Sequence, residues 1–178
     1  MIIFLDTEFT SLDSSGELIS IALIDENDKE LYIELNDFNI DKANDWVKNN
    51  VLSKLEYRNF DTFKEHSENS VKYKCNKADA VNIIRDWLQK YDEVQFWADV
   101  PHYDWVFFCD LFGGSLNLPA NIDFIALDLA TLLYVKGIEP NTDRESLVED
   151  SEFNGLKQHN ALYDAMLLKK IFNKVIGL

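Results

Sequence analysis

Cysteine is scarce in this chain of 178 residues, which carries only Cys75 and Cys109. The two residues form no C-x-x-C pair, so the sequence gives no support for a structural zinc site. Isolated thiols in a reducing compartment are typical of small buried hydrophobic side chains. We therefore assign neither cysteine a chemical role.

Long apolar runs are absent as well. No stretch approaches the roughly 20 apolar residues that a membrane-spanning helix needs, and residues 1–6 lack the basic flank and cleavage site of a signal peptide. Repeats, low-complexity segments and linkers rich in Pro, Gly or Ser are missing too. The expectation is one cytosolic domain over residues 1–178 without membrane contact, and 47% apolar residues suffice for its core.

Basic residues are the third deficit, because 17 Lys and Arg against 32 Asp and Glu give a net charge of −15. Such a charge opposes nonspecific binding to nucleic acid. The deficit is uneven, since residues 42–77 hold eight basic and five acidic residues, a net charge of +3 (8 − 5). This segment would guide a nucleic-acid strand if it lay beside an acidic site, or it would be a solvated helical surface, and the charge pattern favours neither.

The apolar pattern predicts three strands at the start of the chain. They cover residues 2–5, 17–24 and 30–35, and form a β-meander. Later elements are predicted as helices at 41–55, 76–90, 101–112 and about 161–175, with strands at 93–97 and 121–127. Three strands followed by alternating helices and strands predict an α/β fold, in which a mixed central sheet carries helices on both faces.

Two carboxylates stand at the end of the first predicted strand, Asp6 and Glu8, separated by Thr7. Because strand side chains alternate, both carboxylates project from one face and Thr7 from the other. Two such charges raise each other's pKa unless a cation lies between them, and a divalent metal ion would satisfy that requirement. Most Asp-x-Glu pairs are merely solvated, so this pair alone is a weak signal.

Asp104 and Asp164 lie on the apolar faces of two predicted helices. A buried unpaired carboxylate costs several kcal/mol, so each is expected to have a partner. The alternative for Asp104 is a carboxylate at a helix N-terminus that accepts from backbone amides. For Asp164, the small side chains of Ala161 and Ala165 would let the helix approach the sheet and place the carboxylate over the strand ends.

His159 precedes Asp164 by five residues, which on one continuous helix would place the two side chains about 140° apart. His159 is therefore expected on the loop before the closing helix, with Asn160 as the N-cap, where it reaches the same site. A histidine at a helix start is more often structural than catalytic, so this signal is also weak by itself.

Together these residues resemble the three exonuclease motifs of the DEDD superfamily, in its histidine branch (DEDDh). The motifs are Asp6-Thr7-Glu8, Asp104 within a helix, and His159 five residues before Asp164. Their order, spacing and predicted element type agree jointly, and the tyrosine branch would have Tyr at position 160. More narrowly, the chain is similar nearly end to end to small bacterial and phage 3′-to-5′ exoribonucleases first described from mycobacteria.

The resemblance implies a ribonuclease H-like fold and 3′-to-5′ hydrolysis of single-stranded RNA or 3′ overhangs with two Mg²⁺ or Mn²⁺ ions. It implies His159 as the general base. The implied metal ligands are Asp6, Glu8, Asp104 and Asp164. The candidates for contact with the terminal nucleotides are Thr7, Phe9 and Leu12. Core packing is the alternative for Phe9 and Leu12, and the four tryptophans are expected in the core or at an interface.

At two positions the sequence differs from the motifs of the wider superfamily, and both positions concern the binding of the terminal nucleotide. Phe9-Thr10-Ser11 follows the first motif where many relatives have Thr-Gly, and Val100 stands where an Asn is often found. The metal chemistry is not affected by either departure.

Two alternative functions and the oligomeric state remain open. A DNA-specific exonuclease would use the same five residues, because no residue visibly reads a 2′-hydroxyl. An acidic protein that mimics nucleic acid and binds a basic partner would also account for a pI of about 4.4, and it would not need the carboxylates to converge. A homodimer is a further expectation, since a small acidic domain would benefit from the basic surface of a neighbour.

Overall fold

The computed structural model describes residues 1–149, 153 and 155–177. The strands are β1 (Ile2–Phe9), β2 (Leu18–Asp25), β3 (Glu30–Leu35), β4 (Phe63–His66), β5 (Ser70–Cys75), β6 (Gln95–Ala98) and β7 (Leu127–Asp128). The helices are α1 (Asp45–Asn50), α2 (Lys77–Leu88), α3 (His102–Leu111), α4 (Leu129–Val135) and α5 (Ala161–Ile176). Short 3₁₀ turns cover Ile40–Lys42, Leu52–Lys54, Ser115–Asn117 and Glu145–Leu147.

All seven strands join one mixed sheet in the order β4-β5-β3-β2-β1-β6-β7. The pairs β1–β2 and β2–β3 are antiparallel, which confirms the predicted meander. β6 lies parallel to β1, with Phe4 opposite Trp97. The carboxyl ends of β1 and β6 therefore meet at the same edge of the sheet, and the chain enters α3 from that edge.

Each face of the sheet carries helices, which confirms the predicted α/β class. Odd-numbered residues of β1 such as Leu5 pack with Phe108 of α3, whereas Phe4 packs on the opposite face against Phe172 of α5. This alternation is the strand periodicity of two. Cys75 and Cys109 are buried free thiols, as expected. In the described part of the chain no helix combines the length and hydrophobicity needed to span a bilayer.

The segment between β3 and α2 differs most from the prediction. The helix predicted over 41–55 is divided into α1 and two 3₁₀ turns, because the backbone of Ala43 is extended and Asn44 caps a new helix start. β4 and β5 were missed altogether. In β5 the lysines at 72 and 74 alternate with apolar residues, so this part of the 42–77 segment is a strand between β3 and β4, and not the solvated helical surface that was one of the two alternatives.

The strand predicted over 121–127 is also wrong over most of its length. Ile122 makes a single bridge to Val94, and regular pairing begins only at Leu127. The interruption has a local cause, because the carboxylate of Asp123 accepts from the amide of Ile125 at 3.0 Å. Such Asx turns compete with strand pairing. The helix α4 that follows was not predicted, although Asp128 caps it.

Val100, between β6 and α3, adopts a positive φ of 55°. A β-branched residue in the left-handed region is strained by about 1–3 kcal/mol. Its side chain is 51% exposed, so little buried area is lost when it is replaced. Asn tolerates this conformation, and Val100→Asn is expected to raise the free energy of unfolding by about 1 kcal/mol, or Tm by about 2–4 °C. Thermal unfolding followed by circular dichroism measures the change.

The matched control is Val106→Asn, since Val106 is 52% exposed but lies within α3. Helical backbone imposes no such strain, so this variant is expected to gain no stability. An equal rise in Tm at the two positions would contradict the explanation by backbone strain.

Candidate active site

The end of β1 supplies two of the acidic residues. Asp6 and Glu8 follow Phe4 on the face that α5 covers, because side chains alternate along the strand. Both line a cavity of about 270 Å³ at the edge where β1 and β6 end. The other predicted ligands and the predicted base line the same cavity: Asp104, Asp164 and His159. The structure thus brings together the five residues that the motifs single out.

Asp104 reaches this cavity from the first turn of α3. Its side chain is only 8% exposed. Oδ1 accepts from the amide of Thr7 at 3.0 Å and from the hydroxyl of Thr7 at 2.7 Å. The carboxylate therefore has the partner that its burial requires, and its first two hydrogen bonds come from Thr7 of β1.

Thr7 projects from the other face of β1, as strand alternation predicts, and it is buried. Its two bonds to Asp104 fix α3 against the strand. These bonds position Asp104, and the predicted contact of Thr7 with substrate stays a prediction. Asp6 and Glu8 project from one face of β1, and Thr7 projects from the other face, where it holds Asp104. Strand alternation therefore lets one tripeptide contribute both cavity carboxylates and a residue that positions a third.

His159 lies immediately before α5, as expected. Asn160 is the N-cap, and its side-chain oxygen accepts from the amides of Leu162 and Tyr163. The amide of His159 donates to Oδ2 of Asp164 at 2.8 Å, so the loop and the first turn of the helix hold each other. Potential ligand atoms of Glu8, His159 and Asp164 lie within 4.8 Å of one another.

Burial and mutual repulsion disfavour the charged forms of the four carboxylates. Burial, followed by the charges of Asp164 and Asp104, raises the pKa of Asp6 well above its ordinary value. Burial likewise raises the pKa of Glu8 to about 8 and that of Asp164 to about 7. The pKa of Asp104 rises less, to about 6, because the two bonds from Thr7 oppose the effect of burial.

These carboxylates fit divalent cations. Four acidic groups share one cavity and repel one another, and a cation among them removes the repulsion and compensates for the lost solvent. Their oxygens are the ligands that Mg²⁺ and Mn²⁺ prefer. His159 stands close enough to be a further ligand, although these hard ions do not require one.

The raised pKa values make stability depend on pH and metal. Without metal, folded carboxylates keep protons that the unfolded chain releases, so the stability they contribute is lost as pH rises from about 4 toward 8. Cations bind the deprotonated form, so Mn²⁺ is expected to stabilise more at pH 8 than at pH 5. At about 100 times its Kd a ligand adds about 2.7 kcal/mol, here roughly 5–10 °C in Tm.

Differential scanning calorimetry in Mn²⁺ and in EDTA at the two pH values measures this linkage. Asp110→Asn, a change at an exposed residue of α3, is the control and is expected to keep the full response. An identical Tm with and without Mn²⁺ at pH 8 would show that the cavity does not bind the ion.

Sequence reasoning missed two charged residues of the cavity, Asp99 and Arg144. Asp99 follows β6 two residues after Trp97, as Asp6 follows Phe4 on β1, so the parallel register brings these carboxylates to one edge. The Arg144 guanidinium pairs with Asp99 at 2.5 and 2.9 Å and also donates to the carbonyls of Pro140 and Thr142. Arg144 thereby neutralises Asp99 and ties the 140–144 loop to the sheet edge. No motif marks either residue.

Lys54 and Trp46 were also missed as residues of the site. Nζ of Lys54 donates to the carbonyl of Gln158 at 2.7 Å, next to His159. Burial and the charge of Lys54 lower the pKa of His159. Trp46 is 54% exposed rather than buried in the core, and its indole meets the imidazole of His159 edge-on, with ring centroids 5.0 Å apart. Both belong to the 42–77 segment, so part of that segment lies beside His159, which the charge pattern by itself did not decide.

The other two substrate candidates lie on the chain that leaves β1. Phe9 lines the cavity and packs its ring against Phe107 and Tyr103, with centroids 5.0 and 5.8 Å away. Leu12 is 70% exposed, and its carbonyl accepts from the hydroxyl of Tyr103 at 2.7 Å. Phe9 therefore both packs against α3 and lines the cavity, whereas Leu12 presents its side chain to solvent, and substrate contact by either residue stays a prediction.

Comparison with known proteins agrees with this geometry. Over residues 1–176 the chain matches the family model described as the 3′-5′ exoribonuclease Rv2179c-like domain. Its relatives include the 3′-5′ exoribonucleases Rv2179c and MT2234.1 of Mycobacterium tuberculosis, from the strains H37Rv and CDC 1551. Each is 28% identical over 148 residues, which are 83% of this chain and 83% of the relative.

Two solved structures share the fold. The Mg²⁺- and Mn²⁺-bound form of S. pombe Pop2p superimposes with a TM-score of 0.68 at 15% identity, over 98% of this chain and 82% of that one. The nuclease domain of 3′hExo, a DEDDh family member bound to rAMP, superimposes with a TM-score of 0.63 at 12% identity. The match covers 99% of this chain and 91% of that one.

The chain has the ribonuclease H-like fold of these two solved structures, and one cavity at the edge of its sheet holds four carboxylates and a histidine. The chain belongs to the Rv2179c-like 3′-5′ exoribonuclease family, and its activity is that of a 3′-to-5′ exoribonuclease. The predicted family and activity are thereby confirmed.

Proposed function

We propose that this exoribonuclease hydrolyses the 3′-terminal phosphodiester of single-stranded RNA or of a 3′ overhang, with His159 as general base. The proposed metal ligands are Asp6, Glu8, Asp104 and Asp164, which would hold two Mg²⁺ or Mn²⁺ ions. One observation carries the proposal: four carboxylates from β1, α3 and α5, of which Asp104 is buried and the other three are half-buried, converge with one imidazole in a single cavity. An acidic mimic of nucleic acid would not require that convergence.

Cations bound by these carboxylates would supply Lewis-acid stabilisation of the charge that develops on the phosphate and on the leaving oxygen. The chain itself contributes rigid placement. Thr7 of β1 fixes Asp104, and the His159 amide fixes Asp164, so one proposed ligand on each of two helices is oriented by hydrogen bonds. Such preorganisation of the groups around a metal is what gives the site its geometry.

In this proposal His159 accepts a proton from the attacking water. In the proposed step a water oxygen bonds to phosphorus, its proton passes to a ring nitrogen of His159, and the bond between phosphorus and the 3′ oxygen of the penultimate nucleotide breaks. The leaving oxygen takes up a proton from solvent water, and His159 then releases its proton to solvent. The products are a nucleoside 5′-monophosphate and RNA shortened by one residue with a free 3′-hydroxyl. The lowered pKa keeps the imidazole neutral, and hence able to accept a proton, at neutral pH.

Trp46 is the side chain best placed to hold a base near the reacting phosphate. The indole is exposed and lies against His159, and base stacking on an aromatic ring is worth about 1–3 kcal/mol. Trp46→Ala is therefore expected to raise KM for a short RNA about 5- to 100-fold, with a smaller fall in kcat. Steady-state kinetics with a fluorescent oligonucleotide measures both constants.

Tyr134→Ala is the control for Trp46→Ala, because Tyr134 is 72% exposed and does not line the cavity. Its KM is expected to stay at the wild-type value. An unchanged KM in Trp46→Ala would remove Trp46 from substrate binding and leave Phe9 and Leu12 as the proposed contacts.

The proposed function is tested with matched RNA and DNA oligonucleotides labelled at the 5′ end. With Mn²⁺ or Mg²⁺, RNA is expected to shorten one nucleotide at a time, DNA more slowly, and both to stay intact in EDTA. Faster degradation of DNA would establish the DNA-specific alternative, and turnover in EDTA would contradict the metal site. Calorimetric titration with Mn²⁺ counts the ions. The homodimer stays a prediction, for which sedimentation velocity is the direct measurement.

A further inference from the structure

Residues 158–160, here called the histidine strap, carry His159 into the cavity. Its backbone is unusual, because His159 has a φ of 67°. A non-glycine residue in this left-handed region is strained by about 1 kcal/mol or more, and it persists only where surrounding contacts over-determine the conformation. The contacts that hold the strap therefore decide where the imidazole points.

Lys54 holds the strap on both sides of His159. It ends the 3₁₀ turn Leu52–Lys54 and is half-buried. Its Nζ donates to the carbonyl of Gln158 at 2.7 Å, and its own carbonyl accepts from Nδ2 of Asn160 at 3.2 Å. The residues before and after His159 are thus fixed by one side chain and one peptide group of the same lysine.

Asn160 connects this arrangement to the centre of the sheet. Nδ2 also lies 3.4 Å from the hydroxyl of Tyr32, and that hydroxyl donates to Glu34 Oε1 at 3.0 Å. Glu34 is fully buried and accepts from the amides of Glu56 and Tyr57, which follow Lys54 in the chain. The lysine backbone is consequently anchored to β3, and its side chain has a fixed base from which to reach Gln158.

The ammonium of Lys54 is a charged donor, and charge-assisted bonds are about twice as strong as neutral ones. The contact that the structure shows for this ammonium is with the backbone carbonyl of Gln158, beside His159. That contact with protein backbone is the observation that favours a positioning role over substrate binding.

We propose that Lys54 is a positioning residue for the exonuclease reaction, and that it acts by holding the histidine strap so that the imidazole of His159 faces the reacting phosphate. The proposal rests on the proposed role of His159 as general base. It assigns Lys54 a task in the chemical step rather than in RNA affinity, since the contact is with protein backbone.

The experiment compares Lys54→Met and Lys54→Arg with the wild type on a short single-stranded RNA in saturating Mn²⁺. Lys54→Met is expected to lower kcat about 10- to 100-fold and to change KM less than threefold, because misplacement of a catalytic group by about 1 Å has effects of this size. Lys54→Arg keeps a charged donor and is expected to recover most of the lost kcat. Hydrogen–deuterium exchange of the strap peptide is expected to accelerate in Lys54→Met only.

Lys136→Met is the control, since it removes one positive charge at an exposed residue that does not line the cavity. It is expected to match the wild type in kcat. A raised KM with unchanged kcat in Lys54→Met would overturn the proposal, because that result identifies a phosphate contact. Failure of Lys54→Arg to recover kcat would overturn it as well.

A double-mutant cycle with His159→Ala separates this inference from the function on which it rests. If Lys54 acts through His159, Lys54→Met causes no further loss in the His159→Ala background in single-turnover assays. An additional loss there would overturn the positioning role alone. Full activity of His159→Ala itself would instead overturn the general base, and with it the proposed function.

Discussion

Replacement of His159 by alanine is expected to lower kcat by about 10²- to 10⁴-fold, the usual contribution of a general base, while the protein stays folded. The imidazole forms no part of the core and contacts only the exposed Trp46 indole among the aromatic rings described, whereas the hydrogen bond of His159 to Asp164 runs through its backbone amide. The backbone amide that donates to Asp164 is retained in the variant, so binding of Mn²⁺ and Tm are expected to change little. The measurement is kcat on single-stranded RNA in saturating Mn²⁺.

The dependence on pH provides the control for this loss. Burial and the Lys54 charge lower the pKa of His159, so wild-type kcat is expected to fall with decreasing pH only below the ordinary histidine value of about 6.5. At saturating Mn²⁺ the carboxylates are already deprotonated, so the fall in kcat at low pH reports the protonation of His159. The pH profile of His159→Ala is expected to lack this fall. A variant with wild-type kcat and profile would show that another group accepts the proton.

Asp6→Asn is expected to reduce kcat by about 10³-fold or more, because charge stabilisation by bound cations is worth several kcal/mol. The pKa of Asp6 is raised well above its ordinary value by burial and then by the charges of Asp164 and Asp104. An amide oxygen is a weaker ligand than a carboxylate. Affinity for Mn²⁺, measured by calorimetric titration, is expected to fall together with activity.

The same variant is expected to be more stable than the wild type in the absence of metal. Asparagine removes one charge from a group of carboxylates that repel one another, so Tm in EDTA at pH 8 is expected to rise while activity is lost. Asp110→Asn serves again as the control and changes neither quantity. Lower Tm in EDTA together with lost activity would indicate a folding defect instead of a lost ligand.

The structure relates the strongly acidic composition of the chain to the cavity. Part of the net charge lies in the cavity, where bound cations would offset it, and Arg144 offsets Asp99 at its side. The basic 42–77 segment contributes Lys54 to the site, whereas Lys72 and Lys77 pair with Glu56 and Glu17. The segment therefore serves the active site through individual residues rather than as one continuous basic surface.

The sequence by itself determined the features that depend on local geometry. Strand alternation placed Asp6 and Glu8 on one face and Thr7 on the other, and Asn160 marked the start of α5, with His159 on the loop before it. Apolar faces on two helices directed Asp104 and Asp164 inward. Each of these inferences needs only neighbours within a few residues, and the joint match to the family motifs supplied the activity.

The tertiary structure alone decided which distant residues meet. Thr7 and Asp104 are 97 residues apart in the chain, and Lys54 and Gln158 are 104 apart, yet each pair is hydrogen-bonded. The strands β4 and β5 complete one side of the sheet, and Trp46 faces His159 from α1. Strand order and helix packing fix these contacts through the burial of the whole core, and no short stretch of sequence encodes them.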